Sequence, residues 1–248
     1  MKKETREQIT HILQHCVDRA IHRVKSDSTH RPFHEALLTK KLLSSAVFER
    51  SFSTSFGQGP IEEISQILAI ANGGESVRQK ETLVNINKGA IDEIERIISS
   101  LRSGENTPNW TKEVSKIQAF KKGDYVVRRI ISDLWVQKDG HETFISIKTV
   151  KPNIDQTEIV KKDMLLLKAE NAKFNTFFGL YYNPGGDSRA DYNWSIPSKI
   201  FDMKRDPCVL IGEEYWELVG GSGAYQDLLE IFESVGKNTR KQLEEIGH

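Results

Sequence analysis

The chain has 248 residues, with 35 lysines and arginines against 35 aspartates and glutamates, so its formal net charge is zero. This balance excludes a partner chosen by overall charge, and a nucleic-acid role would need positive side chains clustered on one face. Cys16 and Cys208 lack metal-ligand spacing, which suits a reducing cytoplasm. The sequence shows no signal-peptide pattern and no long apolar run. We therefore expect a soluble cytoplasmic protein without a membrane partner.

Apolar residues at three- and four-residue spacing predict two helices near the start of the chain. The first spans residues 4–24, and the second spans residues 33–48 after a proline. The sequence that follows, FERSFSTSFGQG, contains a short polar stretch spaced by Phe52 and Phe56. Its hydroxyls and its arginine suit contacts with phosphates, although an ordinary loop has the same composition. The residues of this stretch that we expect at DNA are Arg50, Ser53 and Thr54.

A third helix is predicted for residues 60–71. On this helix Glu63 lies beside Ile67 and Ile70 at the next two turns, whereas Glu62 is expected to project away from the apolar side. A carboxylate that borders an apolar face is costly unless it is paired or binds a metal ion. Glu63 is therefore a candidate metal ligand.

The order of the predicted elements indicates one α/β (α+β) domain with a central mixed β-sheet flanked by helices. We expect an N-terminal helical part over residues 1 to about 102 and a C-terminal helical part over residues 213–248. The continuous apolar run NTFFGLYY predicts a buried central strand. The remaining predictions are a strand or loop over 77–87, a helix over 90–101, a hairpin over 130–150, a helix over 154–170, strands over 175–182, 198–204 and 208–211, and helices over 213–219 and 224–246.

The hairpin over residues 130–150 carries an aspartate and a lysine on one predicted face. The Asp-Gly dipeptide at 139–140 is a two-residue turn signal. A type I′ turn there puts Asp133 opposite Ser146 and makes Lys148 its diagonal neighbour, within reach of a long side chain. A plain ion pair on a strand is the structural alternative, because ion-pair networks also produce such neighbours.

Metal-assisted hydrolysis of phosphodiester bonds uses this pair of groups. A carboxylate holds Mg²⁺, which polarises the phosphoryl oxygen, and a nearby lysine steadies the attacking hydroxide. Asp133 followed by Ser146-Ile147-Lys148 resembles the PD-(D/E)xK nuclease signature. Ser132 replaces the usual proline, and Ser146 occupies the position of the second acid, so one metal ligand is missing from the pattern.

Some restriction endonucleases resemble this Ser-x-Lys version and take the second carboxylate from the helix that follows. Here that helix is predicted for residues 154–170, with Asn153 as its N-cap. Glu158 lies about one turn into the helix and is our candidate, although an exposed pair with Lys162 also explains it. Asp155 is a weaker candidate, because acids are favoured in the first turn of any helix.

The stretch FERSFSTSFGQG, the following IEEIS, the Asp and Ser-x-Lys hairpin, and IKTVKPN together resemble the TdeIII family of type II restriction endonucleases. The resemblance runs from about residue 33 to 167. It implies Mg²⁺-dependent cleavage of double-stranded DNA by a homodimer, at an interrupted palindrome of the GGNCC type. Read from the residues themselves, the site consists of Asp133 and one or both of Glu63 and Glu158 on Mg²⁺, with Lys148 beside the nucleophile. The amphipathic helix over residues 224–246 offers apolar surface for a dimer contact or for packing within the chain.

Three polar side chains are candidates for contacts with DNA bases, and two other functions also fit the sequence. Arg78, Arg189 and Asn193 are candidates to read base edges, since arginine suits the O6 and N7 atoms of guanine, although each also fits an ordinary surface position. One alternative function is a nuclease of the same fold that acts on repair or recombination intermediates. The other is a DNA-binding protein that has lost catalysis through Ser146.

Overall fold

The computed structural model describes residues 1–246, and the centre of this part is a five-stranded mixed sheet with its strands in chain order. Pairing is antiparallel between the first three strands and parallel among the last three. The strands are β1 (Glu75–Asn87), β2 (Tyr125–Lys138), β3 (His141–Lys148), β4 (Asn175–Leu180) and β5 (Val209–Ile211). The prediction of an α/β domain around a mixed sheet is confirmed.

Helices cover both faces of this sheet. They are α1 (Lys3–Lys25), α2 (Pro32–Leu37), α3 (Lys40–Ser55), α4 (Gln58–Ala71), α5 (Lys88–Ser103), α6 (Trp110–Gln118), α7 (Ile154–Glu170), α8 (Glu213–Gly220) and α9 (Ala224–Ile246). The buried side chains of α5, α6 and α7 form one core, and those of α1, α4, α8 and α9 form the other. Among the described residues, no helix is long and apolar enough to cross a membrane.

Side chains of β3 alternate between these two cores. Phe144 packs with the α5–α7 core, whereas Ile145 and Ile147 pack with the α1, α4, α8 and α9 core. This is the two-residue period of a strand buried on both faces. As a result, a side chain at the end of β3 lies where residues from both helical layers can reach it.

The structure corrects the prediction for residues 33–48 and for the stretch after them. The predicted single helix is divided, because Thr39 caps a new helix by accepting a hydrogen bond from the backbone of Leu42. FERSFSTSFGQG is helical as far as Ser55 and is not a loop up to that point. The reason lies in aromatic side chains at four-residue spacing, whose rings stack along the helix; these are Phe48, Phe52 and Phe56.

Two further predictions differ from the structure. Residues 198–204 do not form a strand but continue from a 3₁₀ turn (Pro197–Lys199) into a loop, although Ile200 and Phe201 are buried. Burial therefore explains the apolar character of this segment without β-pairing. The helix α6 was not predicted. It begins at Trp110, where the side chain of Asn109 caps it by accepting a hydrogen bond from the backbone nitrogen of Lys112.

Candidate active site

The hairpin of β2 and β3 forms as its turn chemistry predicts. Asp139 and Gly140 have φ values of 51° and 76°, the left-handed values that both central residues of a type I′ turn require. Lys138 pairs with His141 on either side of the turn. The register set there brings Asp133 against the last residues of β3.

Asp133 and Lys148 are in direct contact. The Nζ atom of Lys148 donates a hydrogen bond to Oδ2 of Asp133 over 2.8 Å, and the backbone nitrogen of Ile147 donates to the same oxygen over 2.7 Å. Asp133 is buried, and Lys148 is mostly buried at the end of its strand. Two donors on one oxygen fix the direction of the carboxylate and leave its other oxygen, Oδ1, directed away from Lys148.

A second buried carboxylate, that of Glu62 on α4, lies beside Asp133. The two acids share a donor, because Nε2 of Gln79 lies 2.9 Å from each carboxylate oxygen of Glu62 and 3.4 Å from Oδ1 of Asp133. Glu62 is only 5% exposed. The expectation that Glu62 projects away from the buried side of its helix is therefore wrong.

The helix α4 is turned so that its small residues, rather than all its isoleucines, meet the sheet. Ile70 is 54% exposed, whereas Ser65 and Ala69 are buried. Small side chains let a helix approach its neighbours closely, and Oγ of Ser65 lies 2.5 Å from the hydroxyl oxygen of Tyr215 on α8. Glu62 precedes Ser65 by one turn and so lies on the same buried side. In the sequence, the small residues Ser65 and Ala69 indicate which side of α4 packs closely, and Glu62 lies on that side.

The two glutamates proposed from the sequence have arginine partners. The Nη1 atom of Arg78 lies 3.6 Å from Oε2 of Glu63, whose side chain is 46% exposed. The Nη1 atom of Arg102 on α5 lies 2.7 Å from Oε2 of Glu158, because α5 packs along the first turns of α7. Asp155 binds the same arginine over 3.1 Å. The position beside Asp133 that the sequence suggested for Glu63 is thus taken by Glu62.

A further acid, Asp163 on α7, faces the site from the other layer. Burial raises its pKa to about 6, while the charges of Lys162 and Lys148 lower this pKa and the charge of Asp133 raises it. Its neighbours one turn away on either side, Val160 and Leu167, are buried. The sequence analysis did not predict Asp163 as a site residue. Its place between apolar residues one turn away on either side could have indicated that it is partly buried.

Tyr215 supports the site from the α8 side. Burial is the main cause that raises the pKa of this phenol; its hydrogen bond with Ser65 lowers the pKa, and the charges of Asp133 and Glu62 raise it. The ring lies against β4 where Gly179 leaves room, since a Cβ at that position would come within 2.9 Å of two ring carbons. Tyr215 therefore stays uncharged between the two acids and the core.

The residues predicted to contact DNA are not gathered in one place. Arg50, Ser53 and Thr54 lie on the exposed side of α3, and Arg78 is exposed on β1 next to the acids. Asn193 is exposed as well.

Arg189 is partly buried and already engaged within the chain. Its Nε atom lies 3.2 Å from Oε2 of Glu214, and its Nη2 atom donates to the backbone oxygen of Asp206 over 3.3 Å. Of the six predicted DNA contacts, Arg78 is the one placed beside the catalytic candidates.

The donor set of the site fits a hard divalent cation. Within the part of the chain that the structure describes, no three histidines, cysteines, aspartates or glutamates are arranged to hold a metal ion. Glu62 and Asp133 nevertheless present buried carboxylates to a common point. Mg²⁺ is usually bound by one or two carboxylates and keeps several waters, so two acids suffice.

The structure has the architecture of a restriction endonuclease. It combines a mixed sheet that has helices on both faces with a hairpin that brings an aspartate and a lysine together. Comparison with known proteins gives the same class. The family model described as type II restriction endonuclease, HinfI, matches residues 1–236. The chain belongs to this family of type II restriction endonucleases, which are site-specific deoxyribonucleases that act on double-stranded DNA.

Individual relatives agree with this family. Type II restriction enzyme HgiCII from Herpetosiphon aurantiacus is 30% identical over 237 residues, which cover 92% of this chain and 86% of the relative. HgiBI from the same organism is 31% identical over 221 residues, or 86% of this chain and 80% of the relative. MjaII from Methanocaldococcus jannaschii is 31% identical over 223 residues, or 82% of this chain and 58% of the relative. Enzymes of this class generally need a divalent metal ion.

Proposed function

We propose that this protein is a Mg²⁺-dependent restriction endonuclease that acts as a homodimer in the cytoplasm and cleaves both strands of an interrupted palindrome of the GGNCC type. The observation that carries the proposal is the contact of Lys148 with Asp133, beside the second buried carboxylate of Glu62. The Ser-x-Lys form of the signature and the resemblance to the TdeIII family are the finer parts of the same proposal.

The roles of the residues follow from their positions. Asp133 and Glu62 hold the cation, which when bound polarises the phosphoryl oxygen and lowers the pKa of a bound water. Lys148 is fixed by its bond to Asp133, so its remaining protons stabilise the attacking hydroxide and the charge that develops on the phosphate. Each role needs a positioned charge; the hairpin supplies those of Asp133 and Lys148, and α4 supplies that of Glu62.

We assign the second carboxylate to Glu62 in place of Glu63 and Glu158. The two displaced candidates are neutralised by Arg78 and Arg102, whereas Glu62 is held by a neutral amide. Ser146 has no role as a ligand in this proposal, because an alcohol is a poor Mg²⁺ ligand beside a carboxylate. The acid missing from the signature then comes from α4 and not from the helix after the hairpin.

The proposed DNA contacts are Arg50, Ser53, Thr54, Arg78, Arg189 and Asn193. A two-fold dimer reads a palindrome most simply, with one active centre for each strand. The apolar side of α9 is not free for that contact, because Leu228, Ile231 and Val235 are buried in the core. Of its apolar residues, Leu229 is 46% exposed and remains available for a dimer contact.

Digestion of a plasmid of known sequence tests the proposal. Purified protein with Mg²⁺ should give discrete fragments, and sequencing of their ends should place every break at one GGNCC-type site. Sedimentation with a duplex that carries the site should give two chains per duplex. Fragments whose ends share another sequence would overturn the proposed site. A smear would support a structure-directed or non-specific nuclease, and intact plasmid would support a binding protein.

A further inference from the structure

Gln79 has a backbone conformation that is rare for its residue type. Its φ is 51°, in the left-handed region that residues with a side chain seldom occupy. It lies within β1 between two regular pairs, Arg78 with Leu134 and Lys80 with Ser132. This register places Gln79 opposite Asp133. A strained residue inside a paired strand needs a reason, and such residues are concentrated at functional sites.

The ribbon of β1 and β2 changes its buried face near this point. Leu134 belongs to the core of α1, α4, α8 and α9, whereas Ile130 belongs to the core of α5, α6 and α7. Both are even-numbered residues of one strand and would share a face in a regular ribbon. The distortion at Gln79 turns its side chain toward the acids, where its amide reaches Glu62 and Asp133.

The distances from Nε2 of Gln79 to the carboxylate oxygens match those between neighbouring ligand atoms of a metal site. They are longer than the distance from a bound Mg²⁺ to its ligands. Its Nε2 atom is 2.9 Å from each carboxylate oxygen of Glu62 and 3.4 Å from Oδ1 of Asp133. Neighbouring oxygens of an octahedral Mg²⁺ site, each about 2.1 Å from the ion, are about 3.0 Å from one another. Gln79 is exposed, so its amide can turn by half a rotation and present its oxygen without repacking.

We propose that Gln79 is the third protein ligand of the cation. Without the ion, Nε2 donates to both acids and holds them together; with the ion, the amide is turned and Oε1 coordinates it. This inference rests on the proposed cation site of Asp133 and Glu62. It explains how a site with two carboxylates can offer three protein ligands, since no group of three acids, histidines or cysteines is found among the described residues.

Binding of Mn²⁺ in the absence of DNA, measured by electron paramagnetic resonance, tests the ligand role apart from cleavage. Gln79→Met keeps the length of the side chain and removes both polar atoms, so it should weaken Mn²⁺ binding by about tenfold or more. Gln79→Glu supplies a carboxylate oxygen at the same position and should bind Mn²⁺ at least as tightly as the native chain. The matched control is Gln137→Met, at an exposed glutamine of β2, which should bind as the native chain does.

The outcomes separate this inference from the function on which it rests. If Asp133→Asn abolishes Mn²⁺ binding but Gln79→Met binds as tightly as the native chain, Gln79 is not a ligand and the cation site stands. If the native chain and Asp133→Asn bind Mn²⁺ equally, the cation site itself is wrong and the inference falls with it. Should Gln79→Met fail to fold by circular dichroism, Gln79→Glu decides, because weaker binding than native would exclude a ligand at this position.

A nuclear magnetic resonance signal reports the turn of the amide directly. Addition of Mg²⁺ to ¹⁵N-labelled protein should shift the side-chain NH₂ resonances of Gln79, which Gln79→Glu identifies by their loss. Those of Gln137 should not move. An unchanged Gln79 signal at Mg²⁺ concentrations that saturate the site would contradict the proposed change from donor to ligand.

Discussion

Lys148 and Asp133 reach each other from the two strands of one hairpin, with Nζ of the lysine 2.8 Å from Oδ2 of the aspartate. A slip of one residue in the register would turn Lys148 to the opposite face of β3 and separate the pair. The type I′ turn at Asp139 and Gly140 prevents that slip, because its two left-handed residues fit a two-residue loop. The geometry of this proposed catalytic pair thus depends on turn chemistry a few residues away.

Removal of either member of the pair should greatly slow cleavage without unfolding the protein. We expect Lys148→Ala to lower the rate of plasmid cleavage by about 10²–10³-fold, since one positioned stabilising donor is lost. Asp133→Asn should cost at least as much, because the cation loses a ligand as well. The measurement is single-turnover cleavage, with circular dichroism to verify the fold.

Two substitutions on the same hairpin serve as controls for this pair. Asp139→Asn keeps a residue that tolerates the left-handed conformation, and Lys138→Ala removes a lysine beside the turn. Both should cut at a rate near native. Cleavage by Asp133→Asn or Lys148→Ala at the rate of these controls would show that the site lies elsewhere.

The adjacent glutamates of α4 offer a matched pair for the second acid. Glu62→Gln should raise the Mg²⁺ concentration needed for cleavage or abolish it, because it removes a buried carboxylate next to Asp133. Glu63→Gln and Glu158→Gln should titrate with Mg²⁺ as the native enzyme does, since each loses only an ion pair with an arginine. A raised Mg²⁺ requirement in Glu63→Gln but not in Glu62→Gln would restore the assignment made from sequence.

Ser146 occupies the position of the acid that the signature lacks. We expect Ser146→Ala to retain most of the cleavage rate at saturating Mg²⁺, because the proposed ligands come from other elements. Rates of the variant and the native enzyme over a Mg²⁺ titration provide the test. A dead Ser146→Ala variant that still folds and binds DNA in Ca²⁺ would mean that this hydroxyl replaces the carboxylate.

The sequence predicts the hairpin and the contact of Asp133 with Lys148 because both depend on local rules. Turn chemistry sets the register, and the two-residue period of a strand then places Asp133 near Lys148. The central sheet follows in the same way from apolar runs such as NTFFGLYY, which forms β4 up to Leu180. These inferences need no knowledge of what packs against the sheet.

The burial of Glu62 beside Asp133 could not be predicted, because it depends on packing between distant segments. The isoleucines of α4 suggest one buried side, but contact with Tyr215 of α8 turns Ser65 and Glu62 inward instead. Likewise, Glu158 is taken by Arg102 of another helix, and Asp163 is buried through the tertiary contacts of α7. Helical periodicity predicts that a face is buried, whereas tertiary packing decides where that face begins and ends.

An ion pair in the core connects α6 with α7 and should contribute to stability through both its members. Lys161 is completely buried, with Nζ 2.6 Å from Oε2 of Glu113 and 2.5 Å from the backbone oxygen of Ile200. Glu113→Gln leaves this lysine without its charge partner, so we expect it to lower the free energy of unfolding by about 3–5 kcal/mol. Urea denaturation measures the change. The double variant Glu113→Leu with Lys161→Met should recover much of the loss, and no recovery would show that packing rather than charge dominates.

The raised pKa of Asp163 predicts a dependence of stability on pH that one substitution should remove. Its pKa is about 6 in the folded chain, against an ordinary value of 3.8, mainly because of burial. Between these two values the folded state keeps a proton that the unfolded state has lost, so this residue makes the protein less stable as the pH rises from about 4 to 6. Above that range the deficit is constant and on the order of 3 kcal/mol.

The test is a substitution that removes this charge. Asp163→Asn should unfold at a higher urea concentration than the native chain at pH 8, with no difference below about pH 4. Asp155→Asn, at an exposed acid of the same helix, should show no such gain. A variant at position 163 that is no more stable than native at pH 8 would mean that interactions with the neighbouring lysines outweigh the burial of its charge.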